Sequence, residues 1–397
     1  MDRVLTGLHY LVAGCLTLSL LMFFLAENGR ANAFPTYLLG VAVIALLAFS
    51  ETRRQITSVS MPVLTLTCIF LAYLSGSAWW SDSGGFPAVL QYLGYALLIL
   101  AFILGLVLAH NRFASFLPLL LAMTVAAATV SGAYSIYLHL ALPEYQPLPE
   151  PRLYGLGRLS NPVISATSYG FASLLSVWLI LQRQDTWHRL LAAACILILL
   201  TAMALSGSRT AWLALGLAAG TGFAMNYRDR ALPWFALTLV ATGLIAVAAV
   251  GLEDLTKRAL SFRPEIWSEF VSRTLAANPI LGVGSGSASH WVTPVLAFKH
   301  PHSIFVSAFY FGGLTGLLLL VALFAACIRH LFRADASLLK TLASMTLVYG
   351  ITVGLLDGDN VLTKIDYLWW IMWFPVGMVV TLSGTRNYSV SRLRSGT

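Results

Sequence analysis

Residues 86–109, FPAVLQYLGYALLILAFILGLVLA, contain no Asp, Glu, Lys or Arg, and their reading decides the fold. Wound as an α-helix the stretch is about 36 Å long, which exceeds the roughly 30 Å hydrocarbon layer of a bilayer. It ends on a polar stop, His110-Asn111-Arg112. Comparable apolar runs recur along the whole chain. With 58% hydrophobic and 10% charged residues and a mean hydropathy of +0.80, against roughly 25% charged in a soluble domain, most of the chain has lipid rather than water as its solvent. A membrane β-barrel would alternate apolar and polar residues, and no such alternation is visible.

Outward from this stretch, apolar runs lie near 8–26, 34–50, 60–76, 86–109, 115–139 and 162–181, and then near 190–205, 210–225, 231–250, 302–328, 338–356 and 365–383. They predict an all-α, polytopic integral membrane protein of about 12 transmembrane helices. Residues 1–397 form a single transmembrane domain, with 251–301 as a long, partly helical loop. Ala31-Asn32-Ala33 imitates a signal-peptidase site after the first run, but Leu8–Leu25 is long for a signal peptide, so a retained first helix is expected. The four cysteines, Cys15, Cys68, Cys195 and Cys327, sit in separate apolar runs and read as packing residues rather than metal ligands.

Lys and Arg mark the cytoplasmic side. With the N-terminus inside, the even-numbered loops and both tails carry 14 of the 24 basic residues, all in short segments. Seven of the other ten lie in two longer segments near 141–161 and 251–301, which translocate largely regardless of charge. Both termini are therefore expected in the cytoplasm. No charged residue falls in the middle of any expected span, which argues against an ion-coupled carrier and sends any chemistry to the outer rim.

The 251–301 loop reads as ordered. Pro264 suits a first helical turn, Glu265 complements its dipole, and Asn278-Pro279 ends the segment. Ile266, Trp267, Phe270, Val271 and Leu275 form one apolar face of the resulting amphipathic helix. Arg263, just before it, opposes the helix dipole, and an anionic ligand would account for it. Arg209 lies in a very short turn between two runs, where a simple interface anchor is the competing reading. Arg152 and Arg158 precede Asn161-Pro162, and one of the pair is expected to be merely solvated. His302, placed by Pro301 in the first turn of a helix, would be held neutral by the dipole and suited to general-base work. Spacing does not separate it from His300 or His290. Trp79, Trp80, Trp267 and Trp291 read as interfacial aromatics.

Arg209-Thr-Ala-Trp-Leu213 matches R-x3-L and His302 through Gly313 matches H-x10-G. Between them stand Arg263-Pro-Glu-Ile-Trp267 and Asn278-Pro-Ile-Leu-Gly-Val-Gly284. In order, side and layout these segments resemble the O-antigen ligase family, which shares a superfamily with O-antigen polymerases and some protein oligosaccharyltransferases. The resemblance implies an inner-membrane glycosyltransferase of lipopolysaccharide biosynthesis. It would move polysaccharide from undecaprenyl diphosphate to a sugar of the lipid A core on the periplasmic face, by inversion and without a metal or other cofactor. Carried over by residue, Arg209, Arg263 and Arg158 would hold the diphosphate and His302 would be the base, with Trp267, Asp359 and Gly313 in support. Asp357 and Asp359 stand nearly alone in their short loop and read as orienting groups rather than a metal site. Membrane lipids are the remaining partners implied, and nucleic acid is not one. The nearest rival is an O-antigen polymerase using the same donor. A twelve-helix glycan transporter or flippase is the rival of another class.

Overall fold

A computed structural model describes residues 2–57, 59–142, 152–159, 161–182, 185–225, 262–292, 297–298 and 300–382. The long apolar runs form α1 (Asp2–Leu25), α2 (Gly29–Leu47), α4 (Met61–Ser77), α5 (Phe86–Arg112), α6 (Phe116–Ala141), α7 (Pro162–Gln182), α8 (Thr186–Leu205), α9 (Arg209–Met225), α11 (Ile304–Arg333) and α12 (Leu338–Leu356). Between them lie the short polar helix α3 (Ser50–Thr57) and the loop helix α10 (Arg263–Ala277). The last run opens as a π-helical turn, Trp369–Trp373, and continues into α13 (Phe374–Thr381). A two-residue hairpin pairs β1 (Trp291–Val292) with β2 (Ala297–Phe298) antiparallel.

Among the described residues nine helices are long and apolar enough to cross a membrane. Of the other three expected spans, Arg209–Met225 and Trp369–Thr381 are helical but shorter, and 231–250 lies outside the described residues. The chain is a multi-pass membrane protein. Its packing follows from lipid as solvent. Large apolar side chains such as Phe34, Val41, Ile44, Leu97 and Leu197 face outward, each more than half exposed. Hydroxyls inside the bundle have no water to bond and turn back on their own helix. Thr67 donates to the Val63 carbonyl at 2.8 Å and Thr124 to that of Leu120 at 2.7 Å. Cys15 and Cys327 are buried packing residues as expected, whereas Cys195 is half-buried and Cys68 is exposed.

Helix starts follow the local sequence. Asn28, Asp185 and Ser337 accept the backbone N–H of Arg30, Trp187 and Lys340, capping α2, α8 and α12. Because the chain crosses the bundle back and forth, the ends of α1, α4, α8 and α12 gather with the starts of α2, α7, α9 and α11. Arg158 N–H donates to Phe23 O at 3.0 Å and Ser285 N–H to Ser77 Oγ at 3.0 Å, tying loops across that end. At the opposite end Ser60 Oγ meets His330 Nδ1 at 3.2 Å, and Arg112 donates to Thr6 Oγ1 at 3.0 Å.

Candidate active site

Ser303 is a better cap than Pro301 is a start. Its hydroxyl accepts from the Val306 N–H, and α11 begins at Ile304. His302 therefore precedes the cap instead of occupying the first turn, which corrects the sequence expectation. Its φ is 53°, the only value in the left-handed region at a non-glycine among the described residues. Such a backbone costs on the order of 1–3 kcal/mol and persists only where the surroundings impose it. Here Ile304, two residues on, is wedged against α12. A Cβ on Gly354 would lie 2.4 Å from Ile304 Cδ1, and one on Gly358 would lie 2.6 Å from Ile304 Cγ2.

That wedge delivers the C-terminal end of α12 to the imidazole. Asp357, the C-cap of α12, places Oδ1 3.0 Å from His302 Nδ1, with side-chain exposures of 6% and 31% respectively. With Nδ1–H donated to the carboxylate, the lone pair sits on Nε2, the atom left to take a proton. The supporting carboxylate named from sequence was Asp359, and the one against His302 is Asp357.

His300 lies beside His302, ring centroids 4.0 Å apart, and Phe298 closes the other side at 6.3 Å, edge-on. His300 Nδ1 and Asp359 Oδ1 are buried without a hydrogen-bond partner among the described residues. Burial pushes the His300 pKa down, aided by His302 and opposed by Asp359, Asp357 and the Gly358 backbone. Burial pushes Asp359 up, opposed chiefly by His300. One ligand atom each from His300, His302 and Asp357 lies within 4.8 Å of the others, a spacing that can hold a divalent ion. Such a cluster is not legible in the sequence, because the two histidines are more than 50 residues from Asp357 in the chain.

The arginines meet around the α8–α9 turn. Arg209 is the first residue of α9, half-buried, with Leu213 half-exposed one turn on. Arg263, the first residue of α10 rather than the one before it, donates from Nη2 to Thr210 Oγ1 at 3.1 Å. Burial lowers the Arg263 pKa, Asp357 raises it and Arg209 lowers it, so this cation feels both a like charge and the carboxylate that holds His302. Arg152 donates from Nε to Ser206 O at 2.9 Å on the same turn. The third arginine brought here is thus Arg152. Arg158, chosen from sequence, lies instead in a separate cavity with Glu27 and Asp366.

α10 packs by Ile266 and Phe270 onto Tyr310 and Phe311, with Trp267 at the edge. Leu275, expected on that face, is 57% exposed, and buried Thr274 takes its place. Gly313 has its role in this platform. With φ 59° and ψ −161° it breaks α11, and a Cβ there would stand 2.3 Å from Ile280 O. The Asn278–Gly284 segment docks into the break. Leu314 N–H donates to Pro279 O at 2.8 Å, and Val283 and Gly284 donate to Tyr310 O and Phe311 O, both at 2.9 Å. The glycine serves the close approach of a loop to a helix. Trp79 and Trp80 are exposed, and His290 is exposed while its carbonyl accepts from Arg273 at 3.0 Å.

A multi-pass helical membrane protein with a carboxylate-held histidine and clustered arginines at one end of its bundle is the class that fold and geometry define. Residues 194–321, which contain Arg209, Arg263, His302 and Gly313, match the family described as O-antigen ligase. A protein of Pseudomonas aeruginosa called O-antigen ligase is 29% identical over 404 aligned positions, covering 98% of this chain and 94% of its own length. Over nearly its whole length the chain is thus similar to an O-antigen ligase, and the segment that matches the family model carries the arginine pair and the histidine of the candidate site.

Proposed function

We propose that the enzyme joins polysaccharide carried on undecaprenyl diphosphate to a sugar hydroxyl of the lipid A core, at the periplasmic face. The observation that carries this reading is the 3.0 Å contact between His302 Nδ1 and Asp357 Oδ1, with both Asp357 and Arg209 acting on Arg263. The acceptor hydroxyl attacks the anomeric carbon and gives its proton to His302 Nε2. The bond from that carbon to the diphosphate oxygen breaks, and the electron pair leaves with the diphosphate. A single displacement of this kind inverts the anomeric centre. Asp357 keeps the lone pair on Nε2 and stabilises the imidazolium as it forms.

Arg209 and Arg263, with Arg152 beside them, meet the charge that builds on the leaving diphosphate, and guanidinium forks pair with phosphate oxygens bidentately. A cation bound by His300, His302 and Asp357 would occupy the imidazole this reaction needs as base, so the proposed reaction runs without a metal. For sidedness, the end opposite the site carries Arg53, Arg54, Arg112, Arg189, Arg329, Arg333 and Lys340 at its helix ends and short turns. That distribution supports cytoplasmic termini and a site facing the periplasm, with α10 on that same side.

The test is ligation by purified protein given lipid-linked glycan and lipid A core, with and without chelator. Joined glycolipid in both samples supports the proposal. Loss with chelator and recovery on adding a divalent ion would move the three-residue cluster from base to metal site. Lengthening of the lipid-linked glycan instead of transfer to core would make the enzyme a polymerase.

A further inference from the structure

The cavity that holds Arg158 is not accounted for by the diphosphate. It measures about 400 Å³ and is walled by Phe23, Glu27, Gly157, Arg158, Asp366 and Tyr367, among others. This is within the roughly 300–1,000 Å³ typical of small-molecule sites. Resting on the proposed reaction, we infer that this cavity binds an uncharged sugar residue of the acceptor glycan and presents the next hydroxyl to His302.

Charge selects the ligand class. One guanidinium faces two carboxylates, those of Glu27 and Asp366. A diphosphate entering here would meet at least as much negative charge as positive, even with Asp366 protonated, whereas sugar hydroxyls can donate to the carboxyl groups and accept from the guanidinium in the same pocket.

The cavity is built in advance of any ligand. Its loop is strapped by Leu153 N–H to Leu205 O at 3.0 Å, Gly155 N–H to Leu159 O at 2.9 Å and Arg158 N–H to Phe23 O at 3.0 Å. A Cβ on Gly157 would lie 2.7 Å from Phe23 O, so this strand of loop lies flat on the end of α1. Arg158 Nη1 occupies the space where a Gly29 Cβ would be, 2.9 Å away. Asp366 is fixed by Thr363 Oγ1–H at 2.8 Å and the Leu368 N–H at 2.9 Å.

Position selects acceptor over donor. Asp366 interacts electrostatically with both Arg158 and Asp359, and Asp359 in turn with His300, His302 and Asp357. Asp357 and Arg209 both act on Arg263. The cavity's carboxyl is thus coupled to the group around His302, and neither arginine assigned to the donor lines the cavity, which suits an acceptor approaching the base.

Two measurements on detergent-solubilised full-length protein test this. In the first, steady-state ligation is measured with Arg158→Gln and Gly29→Ala, the latter displacing the guanidinium without removing it. The expected result is a rise of about 10-fold in KM for lipid A core, the order of one charged hydrogen bond, with KM for the lipid-linked donor unmoved. In the second, delipidated core oligosaccharide is titrated into wild type and variants without donor, and the variants are expected to lose affinity by a similar factor. Asp366→Asn, read only if its thermal stability is retained, should behave alike. A rise in donor KM with acceptor KM unchanged would return Arg158 to the diphosphate and overturn the inference. Unchanged core binding in all variants would overturn it too. The binding measurement needs no turnover, so failure of the proposed reaction would show as absent ligation by wild type, separately from either result.

Discussion

His302 Nδ1 and Asp357 Oδ1 stand 3.0 Å apart across 55 residues of sequence, the carboxylate buried and the imidazole open on one side. The pair defines a tautomer, and the tautomer defines which nitrogen meets substrate. Asp357→Asn keeps the shape and removes the charge. It is expected to cut kcat by about 10² to 10⁴ with KM for either substrate nearly unchanged, because the carboxylate acts through His302. Asp357→Glu should restore part of the rate. An Asn variant at wild-type rate would make the contact structural.

His302→Ala is expected to insert and accumulate normally yet lose about 10² to 10⁴ in ligation rate, leaving lipid-linked polysaccharide to build up. His300→Ala should retain most activity, since no hydrogen bond among the described residues fixes its Nδ1. The opposite ranking, read as glycan ladder on a gel, would transfer the base role to His300.

Arg263→Lys leaves net charge unchanged and replaces a fork with a point charge. The variant loses the bond geometry to Thr210 Oγ1, and activity should fall by roughly 10- to 100-fold through the donor. Ligation near wild-type rate at normal protein level would eliminate the bidentate role.

Gly313→Ala puts a methyl 2.3 Å from Ile280 O at a φ of 59°. The docked Asn278–Gly284 segment must lift, and with it the platform under α10. A lower unfolding temperature together with protease sensitivity near 278–284 is expected, and an unchanged melting profile would show that the break in α11 does not depend on glycine.

Burial raises the Asp366 pKa to about 7, partly opposed by Thr363, the Leu368 N–H and Arg158. A carboxyl whose folded pKa lies above its unfolded value near 3.8 binds a proton more tightly in the folded state. Its contribution is therefore greatest at low pH, falls as pH rises from about 4 to 7, and is flat above that. Comparing wild type with Asp366→Asn by thermal unfolding at several pH values should show this slope only in the wild type. Identical pH profiles would mean that Asp366 stays ionised in the fold.

The sequence alone determined the solvent, and with it the helices. A run such as 86–109 has no stable state in water other than a helix buried in lipid or protein, so its span could be read without knowing its neighbours. It also determined that Arg209, Arg263 and His302 lie in segments at the same end of the bundle, since alternation of spans fixes ends. Which groups touch was decided by packing. Asp357 reaches His302 because Gly354 and Gly358 admit Ile304, and Arg152 rather than Arg158 joins the α8–α9 turn because the Gly157 backbone presses its loop onto Phe23 and Phe24. The positive φ of His302 likewise comes from Ser303 capping α11 while Ile304 is wedged against α12. Contacts of this kind join residues far apart in sequence, and no periodicity or short motif carries their distance. They exist only once the helix ends have met.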